Sequence, residues 1–233
     1  MKRFLTLFVL AATFTLYPAL SYAAKTAAEP SRTSTLWQLI SSGGISMIFL
    51  AILSILAGAL VIYHFIAVTP EKLVPAYFSE NVLALVEKKE YEKAIMVCRQ
   101  QENLISAIVL KGLQKVSKGK VVVEETMQNE GRLRFGQIWQ NLSYLGDIAI
   151  VAPMLGLLGT VFGMIDAFNF FQAGSVHPGV LTQGLAKAMV NTAFGLIITV
   201  PSLIFYAYFR GRISHITATA ESAAAEIAQA VAK

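Results

Sequence analysis

The sequence has few charged residues and almost no cysteine. Charged residues make up 14% of the 233 residues, and Cys98 is the single cysteine. One cysteine excludes an intramolecular disulfide. The sequence also lacks a Cys/His cluster with metal-site spacing and a phosphate-binding glycine loop. We therefore expect no metal, no cofactor and no enzymatic activity.

Apolar residues are correspondingly abundant. They make up 55% of the chain, and the mean hydropathy is +0.60. These values indicate an integral membrane protein rather than a soluble domain. The net charge is +5. In a membrane protein such an excess usually marks cytoplasmic loops, so we expect contact with membrane lipid and not with nucleic acid.

The N-terminal region has the features of a secretory signal peptide. Two basic residues precede an apolar run, and small residues follow at Ser21 and Ala23. This pattern predicts a signal peptide over residues 1–23, with an uncleaved anchor helix as the alternative. Residues 24–44 are then expected to form a periplasmic N-terminal segment.

Three apolar stretches are long enough for a hydrocarbon core of ~30 Å. They predict transmembrane helices over residues 45–68, 142–171 and 179–209. The charged stretch between the first two has the periodicity of amphipathic helices, which predicts a helical cytoplasmic domain over residues 69–141. The fold class is therefore all-α. The remaining predictions are a short periplasmic turn over residues 172–178 and a C-terminal helix over residues 210–233.

The distribution of basic residues predicts the orientation. Residues 69–141 contain eleven Lys and Arg, whereas residues 172–178 contain none. The positive-inside rule then places the domain and the C-terminus in the cytoplasm and the mature N-terminus in the periplasm of a bacterial inner membrane. Two single side chains are interpreted conservatively. Cys98 is expected to be a reduced, buried apolar residue, and His64 an interfacial residue rather than a proton relay.

Small residues and prolines interrupt the second and third apolar stretches. Small residues at helical spacing let membrane helices approach closely. Proline within a membrane helix bends it or frees a carbonyl group. We expect both to shape the packing of these two helices. The residues concerned are Gly156, Gly159, Gly163, Gly195, Pro153 and Pro201.

Thr160 and Thr192 are predicted to lie at one depth. Counted along antiparallel helices from the predicted periplasmic ends, both lie roughly 16–20 Å into the membrane. Two hydroxyls at one depth could line a polar path, together with the neighbouring Asn191. The alternative is that each threonine bonds back to the backbone of its own helix.

Asp166 and Lys187 are opposite charges in the same two stretches. Each lies roughly 7–12 Å from the predicted outer surface. A charge at membrane depth is costly and is by default a hypothesis of function. A pair formed by the two would lower the cost of burial.

The chain resembles the ExbB/TolQ/MotA stator proteins of bacterial inner membranes in two stretches. These are APMLGLLGTVFGMIDAF (Ala152–Phe168) and PGVLTQGLAKAMVNTAFGLIITVP (Pro178–Pro201). Three spans and a large cytoplasmic segment between the first two also agree. The ExbB branch, some of whose members carry a signal peptide, is the more similar one, since the flagellar branch typically has four spans.

The resemblance implies a homopentamer whose second and third membrane helices line a central pore. It also implies an ExbD/TolR-like partner with a single span inside that pore. The resemblance further implies that a partner Asp exchanges protons and that the proton motive force energises envelope processes such as TonB-dependent transport, with a TonB-like protein as a further partner. Thr160 and Thr192 match the pore threonines of the family, and Lys187, Asp166 and Asn191 complete the candidate proton path.

One position departs from the family pattern. ExbB and TolQ proteins commonly have Glu where this chain has Lys187, and an uncharged residue where it has Asp166. Lys187 then pairs either with Asp166 or with the partner's Asp. The departure keeps open a pentameric membrane scaffold without ion flux, in which a ring of lysines blocks cations. A secondary transporter acting alone is disfavoured by three spans and no internal repeat.

Overall fold

The computed structural model describes residues 44–101, 103–172 and 178–231. All regular structure in these residues is helical, which confirms the all-α fold class. The predicted signal peptide and most of the predicted N-terminal segment and turn lie outside the described residues. The helices are α1 (Ile45–Ala67), α2 (Pro70–Leu73), α3 (Ala76–Glu87), α4 (Tyr91–Gln100), α5 (Leu104–Leu113), α6 (Lys120–Gln172) and α7 (Pro178–Ala230).

Three of these helices, α1, α6 and α7, are long and apolar enough to cross a membrane. Helix α1 has 23 residues, which gives it a length of ~34 Å. Helices α6 and α7 have 53 residues each, or ~80 Å, and therefore extend well beyond a bilayer. Both continue through their internal prolines, Pro153 and Pro201. The fold thus has the three predicted spanning helices.

Helix α6 runs without interruption through residue 141. The predicted boundary between the cytoplasmic domain and the second span falls there, because the composition changes at that point. The predicted boundary therefore lies within one continuous helix. The backbone break lies further back, where Gly119 has a φ of 93° after the 3-10 turn Val116–Lys118, a conformation that favours glycine.

The charged half of the chain has its own apolar core. Helix α3 buries Phe78, Val82 and Val86, four residues apart and hence on one face. Helix α5 begins with a reciprocal cap, in which Asn103 accepts from the backbone of Ser106 and Ser106 accepts from that of Asn103. These short helices cover the halves of α6 and α7 that carry the charges. The shared core includes Cys98, Ile105, Ile108, Val109, Leu113, Met127, Phe135, Leu142, Leu145, Phe209, Ile213 and Ile216.

Candidate functional site

Helices α6 and α7 meet along a row of small residues, here called the glycine seam (Gly156, Gly159 and Gly163 of α6, and Gly184 and Gly195 of α7). A Cβ atom added at Gly195 would lie 2.8 Å from the carbonyl oxygen of Ala152. One added at Gly163 would lie 3.0 Å from the Cβ of Ala188. The backbones approach this closely because the seam has no side chains to separate them.

The centre of the seam holds Asn191. A Cβ at Gly159 would lie 2.5 Å from the Nδ2 of Asn191. A Cβ at Gly156 would lie 2.9 Å from the backbone carbonyl oxygen of Asn191. The Asn191 side chain therefore occupies the space that the absent Gly159 side chain leaves. It is 2% exposed. Its Nδ2 donates a hydrogen bond of 3.0 Å to Ser46 Oγ on α1.

Thr160 and Thr192 lie at one level of the seam. Thr192 Oγ1 donates across to the carbonyl oxygen of Gly156 over 3.4 Å, a long contact. In an α-helix that same carbonyl accepts the backbone N–H of Thr160. Thr160 Oγ1 donates to Leu157 O on its own helix at 2.6 Å. The alternative of bonding within one helix therefore holds for Thr160, whereas the bond of Thr192 crosses between helices.

The threonines and the charged positions lie on different flanks of the seam. Lys187 precedes Asn191 by four residues, so its backbone position lies one turn away on the same face of α7. Asp166 follows Gly159 by seven residues, which places it on the Asn191 side of α6. The side chain of Asp166 is exposed, and that of Lys187 lies outside the described part of the structure. Their pairing stays a prediction.

Sequence reasoning did not identify Ser46. Ser46 and Asn191 are 145 residues apart in the chain, and the sequence gives no signal that joins them. Asn191 itself could be singled out, because a polar amide in an apolar stretch requires a partner. It was assigned to the proton path with the threonines, whereas its side chain faces α1.

His64 lies at the other end of α1. It is 1% exposed, its Nδ1 donates to Leu60 O at 2.7 Å, and its ring lies 5.3 Å from that of Phe209. Among the described residues, its Nε2 has no hydrogen-bond partner. The imidazole is thus packed against Phe209 of α7, and its place at the membrane interface stays a prediction.

Cys98 is buried in the core of the charged half. Burial raises the pKa of its thiol to about 12, since an apolar surrounding disfavours the thiolate. This agrees with the interpretation as a buried apolar residue. In the described ranges, no group of three or more His, Cys, Asp or Glu side chains could hold a metal ion.

Together, the three long apolar helices and the glycine seam define a helical membrane protein. Residues 100–222 match the model of the MotA/TolQ/ExbB proton channel family, and the chain belongs to this family. The match includes the whole glycine seam and both threonines. The resemblance seen in the sequence is thereby confirmed at the level of the family.

Several relatives carry ExbB names. An ExbB homolog of biopolymer transport from Methanothermobacter thermautotrophicus is 27% identical over 77% of this chain and 64% of its own length. The biopolymer transport protein exbB1 of Vibrio cholerae is 46% identical over 29% of this chain and 30% of its own. An ExbB-like protein of Synechocystis is 29% identical over 72% and 82%. The chain spans less than two thirds of the length of the first two relatives.

Proposed function

We propose that this protein is an ExbB/TolQ-like stator subunit of the bacterial inner membrane. It uses the proton motive force, together with an ExbD/TolR-like partner, to energise envelope processes such as TonB-dependent transport. Membership of a proton channel family and relatives named for biopolymer transport support the proposal. Its chemistry needs no cofactor, because the work comes from proton movement past fixed polar groups.

One observation carries the proposal. The hydroxyls of Thr160 and Thr192 contact carbonyl groups in the same turn of α6. Helix α1 packs near Leu155 and Phe194, and helical spacing places both threonines on the other flank of the seam. Thr192 is partly buried and Thr160 is partly exposed, so both stay within reach of a molecule beside this flank. Two hydroxyls at one level offer donors and acceptors to water or to a carboxyl group of a partner helix.

The exposed apolar surface supports an assembly within the membrane. Single soluble domains rarely expose large contiguous apolar patches, whereas α1, α6 and α7 expose many large apolar side chains. In the proposed homopentamer, lipid covers part of this surface and neighbouring copies and the partner helix cover the rest. The side chains include Ile55, Ile62, Ile150, Met154, Leu157, Met189 and Ile197.

Proton flux in vesicles tests the function directly. The chain is purified with an ExbD/TolR-like protein from the same genome and placed in vesicles that contain a pH-sensitive dye. A potassium diffusion potential should drive acidification with the pair, and Thr192→Val should reduce it. The chain without its partner is the control. An assembled pair without flux would instead favour the pentameric scaffold without ion flux.

A further inference from the structure

We propose that Asn191 is a positioning residue, which fastens α1 to the glycine seam through Ser46 and thereby keeps Thr192 on the opposite flank. Its effect on proton-driven work rests on the proposed function, whereas the fastening itself does not. Asn191 would not face the protons. It would act by restricting the rotation of α7 about its own axis, which sets the direction of Thr192.

Both Asn191 and Ser46 are buried where they contact each other. Asn191 is 2% exposed and Ser46 is 5% exposed, and the bond between them is 3.0 Å long. The space for the amide exists because Gly159 has no side chain. An apolar cluster of Met47, Leu50 and Ala152 lies beside it. Water is thus kept from the bond, which forms a directional contact between α1 and α7.

Two other buried hydroxyls of α7, those of Thr199 and Ser202, do not provide such a link. Thr199 donates to Gly195 O at 2.9 Å, and Ser202 donates to Ile198 O at 2.8 Å. Both bonds stay within α7 and add nothing between helices. Ser202 is 3% exposed, so its substitution removes a hydroxyl as buried as that of Ser46. It is therefore a matched control.

The position of Ser46 along α1 determines how strongly its hydrogen bond to Asn191 restricts rotation of the helices. His64 packs on Phe209 and follows Ser46 by 18 residues, the same number by which Phe209 follows Asn191. The helices thus run parallel in one register, with contacts ~27 Å apart. An aromatic contact at one end permits small rotations, whereas a hydrogen bond at the other restricts them. Because Thr192 is the residue after Asn191, the same restriction sets its direction.

Labelling of a cysteine reports the fastening whether or not protons flow. In the full chain with its partner, Leu50→Cys should label slowly with a maleimide, because Leu50 is 1% exposed and lies one turn from Ser46, which is kept. Asn191→Leu is then added, because it leaves a side chain over Gly159 but removes the amide. This change should raise the rate of cysteine labelling about threefold, the factor expected from one hydrogen bond between membrane helices. Addition of Ser202→Ala should leave it unchanged. The buried thiol of Cys98 contributes little background.

The proton flux per assembled complex distinguishes a positioning role of Asn191 from a role in packing alone. Ser46→Ala and Asn191→Leu should each lower proton flux per complex about threefold. Both remove the bond that the two residues share, so the effects of the two changes should be less than additive in the double variant. Unchanged labelling would overturn the fastening, whatever the flux. Faster labelling with normal flux per complex would leave a packing contact and overturn the positioning role. Absence of flux in the unmodified pair would refute the proposed function alone.

Discussion

Individual hydroxyls of the membrane helices differ in what they contact, and this decides what their removal should do. Thr192 reaches Gly156 on the other helix, while Thr160 bonds within α6. The sequence was sufficient to select both threonines, because two hydroxyls at matching depths of antiparallel helices are visible in residue counts. It could not select Ser46, since a serine at the start of an apolar helix resembles any other.

Thr160→Val and Thr192→Val keep the shape of the side chain and remove the hydroxyl. Each should lower proton flux while the proposed pentamer still assembles, because one such hydroxyl contributes only ~1 kcal/mol to helix association. Thr199→Val is the control, since its hydroxyl is buried and bonds within α7. Normal flux in the double Val variant would leave only packing as the role of the two threonines.

Asp166 and Lys187 permit a double-mutant cycle on pentamer stability. Asp166 is exposed in the single chain, so the pair is buried only if the proposed assembly covers it. Breaking a buried pair from one side typically costs ~3–5 kcal/mol, and Asp166→Asn and Lys187→Glu should then each be harmful. Their combination, which restores the common family pattern, should recover much of the loss. If Lys187 faces a carboxyl group of the partner instead, Asp166→Asn should be nearly silent. Effects that add within ~0.5 kcal/mol would exclude the pair.

At the scale of the helices, the sequence predicted which segments form long apolar helices more accurately than it predicted where those helices begin and end. Composition indicates the expected surroundings of a segment, whereas the backbone of α6 passes through residue 141 without a break. The close approach of α6 and α7 was readable from glycine spacing. The direction of Asn191 was not, because the position of α1 around the seam depends on contacts distant in sequence.

The glycine seam predicts a sharp difference between two alanine substitutions. Gly195→Ala would place a Cβ 2.8 Å from the carbonyl oxygen of Ala152, and backbone atoms cannot move aside as a flexible side chain can. We expect a loss of about 1–3 kcal/mol in thermal unfolding of the full chain. Gly136→Ala, in α6 with nothing within 4 Å, should be neutral or stabilising by up to ~1 kcal/mol. Equal effects of the two would contradict the seam.

For the whole molecule, residue patterns were enough for the family and the three spanning helices, because hydropathy and motif spacing are local. The number of copies and the partner depend on surfaces that one chain does not complete. The orientation in the membrane is neither a purely local feature nor a property of the assembly. It follows from the positions of basic residues, eleven of which fall in residues 69–141, and it can be tested without knowledge of the assembly.

Orientation predicts opposite labelling at two introduced cysteines. With an impermeant maleimide, Ser175→Cys in the predicted periplasmic turn should label in intact spheroplasts. Ser117→Cys, at an exposed position beside Gly119, should label only after lysis. Native Cys98 is a poor reporter of sidedness, because burial and a thiol pKa of about 12 keep it unreactive on either side at neutral pH. Labelling of Ser117→Cys before lysis would reverse the orientation derived from the basic residues.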